Sequence, residues 1–499
     1  MTFIKKLDWK YFVFFTYCIL LGIAVSKHEP WFDEAQAWLL ARDSSLTELY
    51  TKYLRYEGSP GLWHTLLLIP AKLGLTYFSM SIIAALIAIA GVYVFIFHSP
   101  FPPIVKILYP FTYFSFYQYA VVARSYVLLP LLLFLTAIVY RNRMDKPFTY
   151  VILLCLLGNI SMHGYFIALG LAFLYFIDIL RRWFKSNRRF RIRSFSSLAL
   201  FAVVSLLLIL ELKPPKDIIT FAAFSKDLSG FYSKTIYMLS DSWLTTIITQ
   251  PSSIRIVHLL TYGIFIATLI LSLFWFILRK KLLYFLVPLI GLGVLFTAIY
   301  SNLWHQGSLF LLWLFVLWLS YEEKEDTSKL VRVTNVAMTA ALSVILVFQI
   351  YWSYNSFTYD FGHKYSASRD VANYIKARNL QDKKIYMTGF HTISIQPYFD
   401  KNIFYNYHDN EKPSFWLWSG ANNIYREPYL YLEKYNPDII IMGVKDYKNK
   451  LTPLDSSMLP YIPGYNLVQC FDGCLYWKNS PYETDSFAIY ERSDSGESY

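Results

Sequence analysis

Apolar stretches of near-equal length, separated by short polar connectors, run along most of the chain. They fall near residues 11–26, 78–97, 103–121, 124–140, 148–162, 165–180, 194–211, 256–278, 282–300, 306–321 and 331–352. Most approach the roughly 20 residues a helix needs to cross bilayer hydrocarbon, so the pattern predicts about eleven transmembrane helices. Another stretch, 61–74, opens with Ser59-Pro60-Gly61-Leu62. It is too short to cross and is expected to be a re-entrant or surface-lying helix, within a first loop spanning about 28–76. Residues 212–255, with Lys213-Pro214-Pro215-Lys216 near the start, form the longest connection between spans and are expected to carry short surface helices.

After Tyr354 the period changes. A helical stretch at Ala367–Arg378 is followed by β-type runs at Lys384–Met387, Ile403–Tyr405 and Asp438–Met442, each closed by turn residues. The domain division is therefore 1–354, a membrane domain, and 355–499, a small α/β domain.

Composition sharpens this reading. The 499 residues are 56% hydrophobic and 19% aromatic, with only 16% charged, which excludes an ordinary soluble chain. The net charge of +12 does not point to nucleic acid, because Lys and Arg cluster between apolar runs: Arg141/Arg143/Lys146, Arg181 through Arg193, and Arg279-Lys280-Lys281. Such connectors belong on the cytoplasmic side. All three fall there only if 61–74 does not cross. Lys5, Lys6 and Lys10 then hold the amino terminus inside, while Asp33 and the region from 355 lie outside. No small-residue cleavage site follows the first apolar run, so that span is expected to stay attached. The localisation implied is a bacterial-type plasma (inner) membrane. Cys470 and Cys474 bracket Phe471-Asp472-Gly473, where a local disulfide is open to an extracytoplasmic domain.

Chemistry concentrates at the outer ends of the spans. Directly after the first run comes His28-Glu29-Pro30-Trp31-Phe32-Asp33-Glu34, adjacent carboxylates flanked by aromatic residues suited to the headgroup level. Asp and Glu are ordinary in a helix's first turn, where they complement its dipole. The company kept by this pair argues for more. The same topology puts Arg124 of Ala123-Arg124-Ser125-Tyr126, His163 of Met162-His163-Gly164-Tyr165 and His305 of Trp304-His305-Gln306-Gly307 on the face of Asp33. An Arg in an apolar run needs a partner or a cavity, and its planar fork suits phosphate oxygens. No Gly-rich phosphate loop, zinc-type Cys spacing or internal repeat occurs.

Taken in order, the Asp33-Glu34 pair, the Ser59-Pro60-Gly61-Leu62 segment, Ala123-Arg124-Ser125-Tyr126, the span-end His163 and a soluble tail resemble the plan of GT-C membrane glycosyltransferases. The chain is similar to the protein O-mannosyltransferases and lipid A aminoarabinose transferases, most strongly over about residues 10–180. The resemblance implies transfer of a sugar from a polyprenyl-phosphate donor to a hydroxyl of a glycan, lipid or protein acceptor, with inversion at the anomeric carbon. It implies Asp33 as the base and Arg124 at the donor phosphate, and Tyr126, His163 and His305 are expected beside that site. Glu34 is expected to support Asp33, orienting the acceptor or a divalent cation, the one cofactor left open. Two departures stand out: Ser59-Pro60-Gly61-Leu62 replaces His-Pro-Pro-Leu, and Trp304-His305 occupies the region of an Arg-Tyr pair. The alternatives from other classes are an exporter of lipid-linked sugar or polysaccharide, and a non-catalytic envelope scaffold.

Overall fold

The computed structural model describes residues 8–219, 228–244, 255–323, 328–408, 411–420, 422, 432–445 and 453–493. Among them, seven helices are long and apolar enough to cross a membrane: Trp9–Lys27, Ser79–His98, Met162–Trp183, Arg188–Glu211, Leu259–Leu278, Leu303–Tyr321 and Lys329–Gly362. Ser125–Tyr140, Pro147–Gly158 and Leu282–Ala298 are shorter apolar helices packed among them. The protein is a membrane protein. Its outward apolar faces say the same: Val203, Leu206, Leu207, Ile209 and Leu210 are exposed on one helix, and Val333, Val336, Val344 and Val347 on another. Continuous exposed bands of this kind need lipid rather than water beside them.

Helix Gln306–Tyr321 is apolar all round and almost wholly buried, with Trp313 and Trp318 in the core, so the other helices enclose it. The 103–121 stretch, expected as one span, is broken into a helix at Pro103–Leu108, a 3-10 turn at Tyr109–Phe111 and a π-helical segment at Tyr113–Val121. Pro110 cannot donate to a continuing ladder, and the wider π turn follows it. In the 212–255 connection, the described helix Phe231–Trp243 buries Met238, Leu239 and Trp243 rather than lying on the surface. Residues 220–227 and 245–254 of that expectation lie outside the described residues.

Helix Leu62–Lys72 has 11 residues, about 16 Å at 1.5 Å per residue, far short of a bilayer core. Both of its ends are tied to the end of the bundle that carries the C-terminal sheet. Leu62 N–H donates to Asn159 O at 3.3 Å. Lys72 Nζ donates to the carbonyl of Arg42, whose guanidinium in turn reaches Phe399 O of the tail.

The 34-residue helix Lys329–Gly362 runs unbroken past Tyr354, carrying the bundle into the tail. Helix Ser368–Ala377 follows, then strands β1 (Ile385–Thr388), β2 (Ile439–Val444), β3 (Tyr465–Phe471), β4 (Cys474–Trp477), β5 (Ser480–Thr484) and β6 (Ser486–Arg492). One sheet has the order β1-β2-β6-β3, with β1 and β2 parallel and the other pairs antiparallel; β4 and β5 form a hairpin. Period-two alternation decides what each face touches. Ile385, Met387, Ile439, Ile441, Phe487 and Ile489 join the core that continues into the membrane bundle. Tyr386, Ile440, Met442, Ala488 and Tyr490 build a separate small core on the other face. The expected strand at 403–405 is reduced to a single bridge from Phe404 to Ile385. No disulfide joins Cys470 and Cys474.

The β4–β5 hairpin also ties the tail to the bundle. Its turn residue Lys478 is fully buried, its Nζ 3.1 Å from Asp241 Oδ2 and 3.1 Å from Gln306 Oε1, and it lies 4.2 Å above the Trp352 ring. A buried ammonium needs this full set of partners to offset lost hydration.

Candidate active site

Asp33 and Glu34 stand in the first turn of helix Phe32–Asp43, and successive helical positions point about 100° apart. Their side chains accordingly have different surroundings. Asp33 is 26% exposed and meets Arg124, Oδ2 to Nη2, at 2.9 Å. Glu34 is fully buried, with both oxygens engaged: Oε1 accepts Ala123 N–H at 2.7 Å, and Oε2 accepts Trp31 N–H at 3.1 Å and faces His28 Nε2 at 3.3 Å. The adjacent acids thus hold the adjacent residues Ala123 and Arg124, one by backbone and one by side chain. Glu34 places Arg124 and is turned away from the open site, which differs from the expectation that it orients an acceptor or a cation.

Behind Glu34 the network continues. His28 Nδ1 lies 3.1 Å from Asp360 Oδ2, and Tyr117 OH donates to Asp360 at 2.9 Å. Burial alone would depress the His28 pKa. Glu34 and Asp360, one on each ring nitrogen, outweigh it and push the value up to about 10, so His28 is an imidazolium at neutral pH.

Asp33 and Arg124 open onto a cavity of about 560 Å³. Tyr126 and His305 line it, as do Glu57 and His64 from the first loop and His391, Lys445 and Glu483 from the tail. Arg124 is packed among aromatic faces, 5.3 Å from the Tyr126 ring centre, 5.2 Å from Trp304 and 6.0 Å from Trp31. Its Nη1 is buried and has no hydrogen-bond partner among the described residues. His305 Nδ1 accepts Asn302 N–H at 3.0 Å, which leaves the proton on Nε2. His163 is fully buried behind His305, ring centres 4.1 Å apart, and does not line the cavity. The structure therefore gathers all six expected residues in one neighbourhood, four of them on the cavity wall.

Several wall residues escaped the sequence. Burial pushes the Glu57 carboxyl up to about 8, against a hydrogen bond donated by Gln36 at 2.8 Å that lowers it, and Asp33 nearby adds to the rise. Burial holds His64 down at about 4, hence neutral. The only signal for either was nearness to Pro60. Gly61, where the resemblance would place a second Pro, has its own reason: a Cβ there would come 2.6 Å from Leu54 Cδ1 and 2.7 Å from Tyr50 Cζ. His391, Lys445 and Glu483 carried no signal, being hundreds of residues from Asp33.

Among the described residues no three His, Cys, Asp or Glu side chains come together as a metal cradle. What the wall offers is the partly exposed carboxylate of Asp33, the Arg124 guanidinium with an unused donor, and, from the tail, the Lys445–Glu483 ion pair beside His391. No protein-family model, curated protein or solved structure matches the chain.

Proposed function

We propose that the chain is an inverting glycosyltransferase that moves a sugar from a polyprenyl-phosphate donor to an acceptor hydroxyl. The observation that carries this is the Asp33–Arg124 pair at the mouth of a cavity, with Arg124 Nη1 buried and unpartnered. A guanidinium held this way still has one donor without an acceptor, and a phosphate oxygen would satisfy it. The acceptor hydroxyl gives its proton to Asp33 as its oxygen attacks the anomeric carbon. The bond from that carbon to the phosphate oxygen breaks on the opposite side, and the phosphate leaves with the electron pair, stabilised by Arg124. One base suffices because the leaving phosphate needs no proton.

Orientation completes the proposal. The basic connectors collect at the bundle end remote from the tail: Arg143 pairs with Asp178 at 2.8 Å, Lys281 with Glu323 at 2.5 Å, and Arg193 reaches Asp145 O. With that end cytoplasmic, about eleven crossings put the cavity and the tail outside, where a lipid-phosphate sugar rather than a nucleotide sugar is the sensible donor.

The test is transfer of labelled sugar from a polyprenyl-phosphate donor by purified protein in lipid nanodiscs. Asp33→Asn keeps the shape and removes the base, so the rate should fall by about a hundredfold to ten-thousandfold, with donor binding retained. Transfer at the wild-type rate by this variant would remove Asp33 from the mechanism.

A further inference from the structure

Part of the cavity wall is built by the C-terminal domain, and its chemistry is specific. β1 and β2 are parallel, and the crevice beyond the carboxyl ends of parallel strands is where an open α/β sheet takes ligands. Gly389, at φ +79°, turns the chain directly after β1 and brings His391 to that crevice, while Lys445 directly follows β2. Glu483 arrives on β5 of the hairpin anchored by Lys478. Lys445 Nζ and Glu483 Oε1 are 2.6 Å apart, and Glu483 lies 3.6 Å from His391 Nε2. The His391 ring is fixed from two sides: Nδ1 meets Asp485 Oδ1 at 3.0 Å, and the ring stacks on Phe32 at 5.3 Å. Beside these polar groups stand the half-buried rings of Phe390 and Trp418, tilted against each other with centres 5.2 Å apart, and Lys445 Nζ lies 5.6 Å from the Phe390 ring centre.

Rigid aromatic faces set against charged hydrogen-bonding groups match one ligand class above others. A sugar ring presents C–H bonds on its face, attracted to the negative face of an aromatic ring, and hydroxyls at its rim, which carboxylate, imidazole and ammonium groups can bind as donors or acceptors. A lipid chain would leave the Lys445–Glu483 pair facing hydrocarbon, at a desolvation cost. An extended peptide seeks an open strand edge or groove, and β2 is paired on both sides. We propose that Phe390, Trp418, His391, Lys445 and Glu483 form a carbohydrate-binding subsite, so that the acceptor is a glycan. This rests on the transfer reading only in naming the bound sugar as the acceptor.

The experiment is saturation-transfer-difference NMR of the full chain in nanodiscs with methyl glycosides of glucose, mannose, galactose and N-acetylglucosamine at millimolar concentration. Ring protons of at least one glycoside should receive saturation from the wild-type protein. Glu483→Gln, which keeps the shape, should weaken that glycoside by about tenfold, the scale of a hydrogen bond to a charged group. Trp418→Ala should abolish the signal, with a thermal melt establishing that the variant folds. Arg124→Ala should leave the signal, since a neutral glycoside makes no use of the phosphate site. Absence of signal from all four glycosides, or signals indifferent to both tail variants, overturns the proposal. Signals that depend on Trp418 in a protein that transfers no sugar would sink the transferase reading and leave the subsite standing. Transfer to a protein hydroxyl without any glycoside signal would do the reverse.

Discussion

At Arg124 the decisive feature is a donor without an acceptor. Nη2 is paired with Asp33 at 2.9 Å while Nη1 is buried and unused, so a bound phosphate gains a contact that is already oriented. Charge-assisted hydrogen bonds contribute about 1.5 to 3 kcal/mol. Arg124→Ala should therefore weaken donor binding by about one to two orders of magnitude in a titration with polyprenyl-phosphate sugar, and an unchanged affinity would leave Arg124 as a partner of Asp33 alone. His28 makes a different prediction. Its folded pKa of about 10 lies above the ordinary value of 6.5, so the stability it contributes is fully present below about pH 6.5 and is lost as pH rises from there through about 10. Thermal melts of the protein in nanodiscs should fall across that window. Glu34→Gln, which takes the charge from one side of the imidazolium, should flatten the dependence, and a wild-type Tm constant from pH 6.5 to 10 would refute the charged assignment.

Among the elements, the β4–β5 hairpin is one that joins the two parts of the molecule. Lys478 at its turn is buried against Asp241 and Gln306, and Glu483 on its second strand reaches the cavity wall. Removing one partner of a buried ion pair is expected to cost about 3 to 5 kcal/mol. Lys478→Ala should accordingly lower the Tm, increase protease cleavage within 474–484, and reduce sugar transfer even though Lys478 itself is remote from the reacting atoms. A variant that melts and transfers like wild type would show that the hairpin docks without its anchor. Helix Leu62–Lys72 illustrates the opposite case, an element placed by its length: 11 residues cannot cross, and both ends bond to the same end of the bundle.

For the molecule as a whole, the prediction is one of sidedness. Basic connectors gather at one end, and the carboxylates, Arg124 and the sheet at the other, joined by the continuous helix Lys329–Gly362. Reporter fusions after Lys146 and after Asp360 should report opposite sides of the membrane; the same side for both would break the positive-inside argument. Much of this plan was legible in the sequence, for a physical reason. Bilayer thickness sets the length of an apolar run, loop charge sets its direction, and both are local properties of the chain. The neighbourhood of Asp33, Arg124, Tyr126 and His305 could be foreseen because span ends on one side of a membrane share a plane. What each residue does within that plane was decided by tertiary contacts. Glu34, next to Asp33 in sequence, is spent on holding Ala123 and His28, and His163 lies one layer behind the wall. The raised pKa of Glu57 comes from burial, which no local pattern reports. The tail's share of the cavity, with His391, Lys445 and Glu483 brought to the wall that Asp33 lines from more than three hundred residues away in the chain, depends on long-range contacts that fix the domain against the bundle: the buried Lys478, the alternating sheet face, and the hydrogen bonds of Gln36 and Asp43 to Trp416 and Ser414.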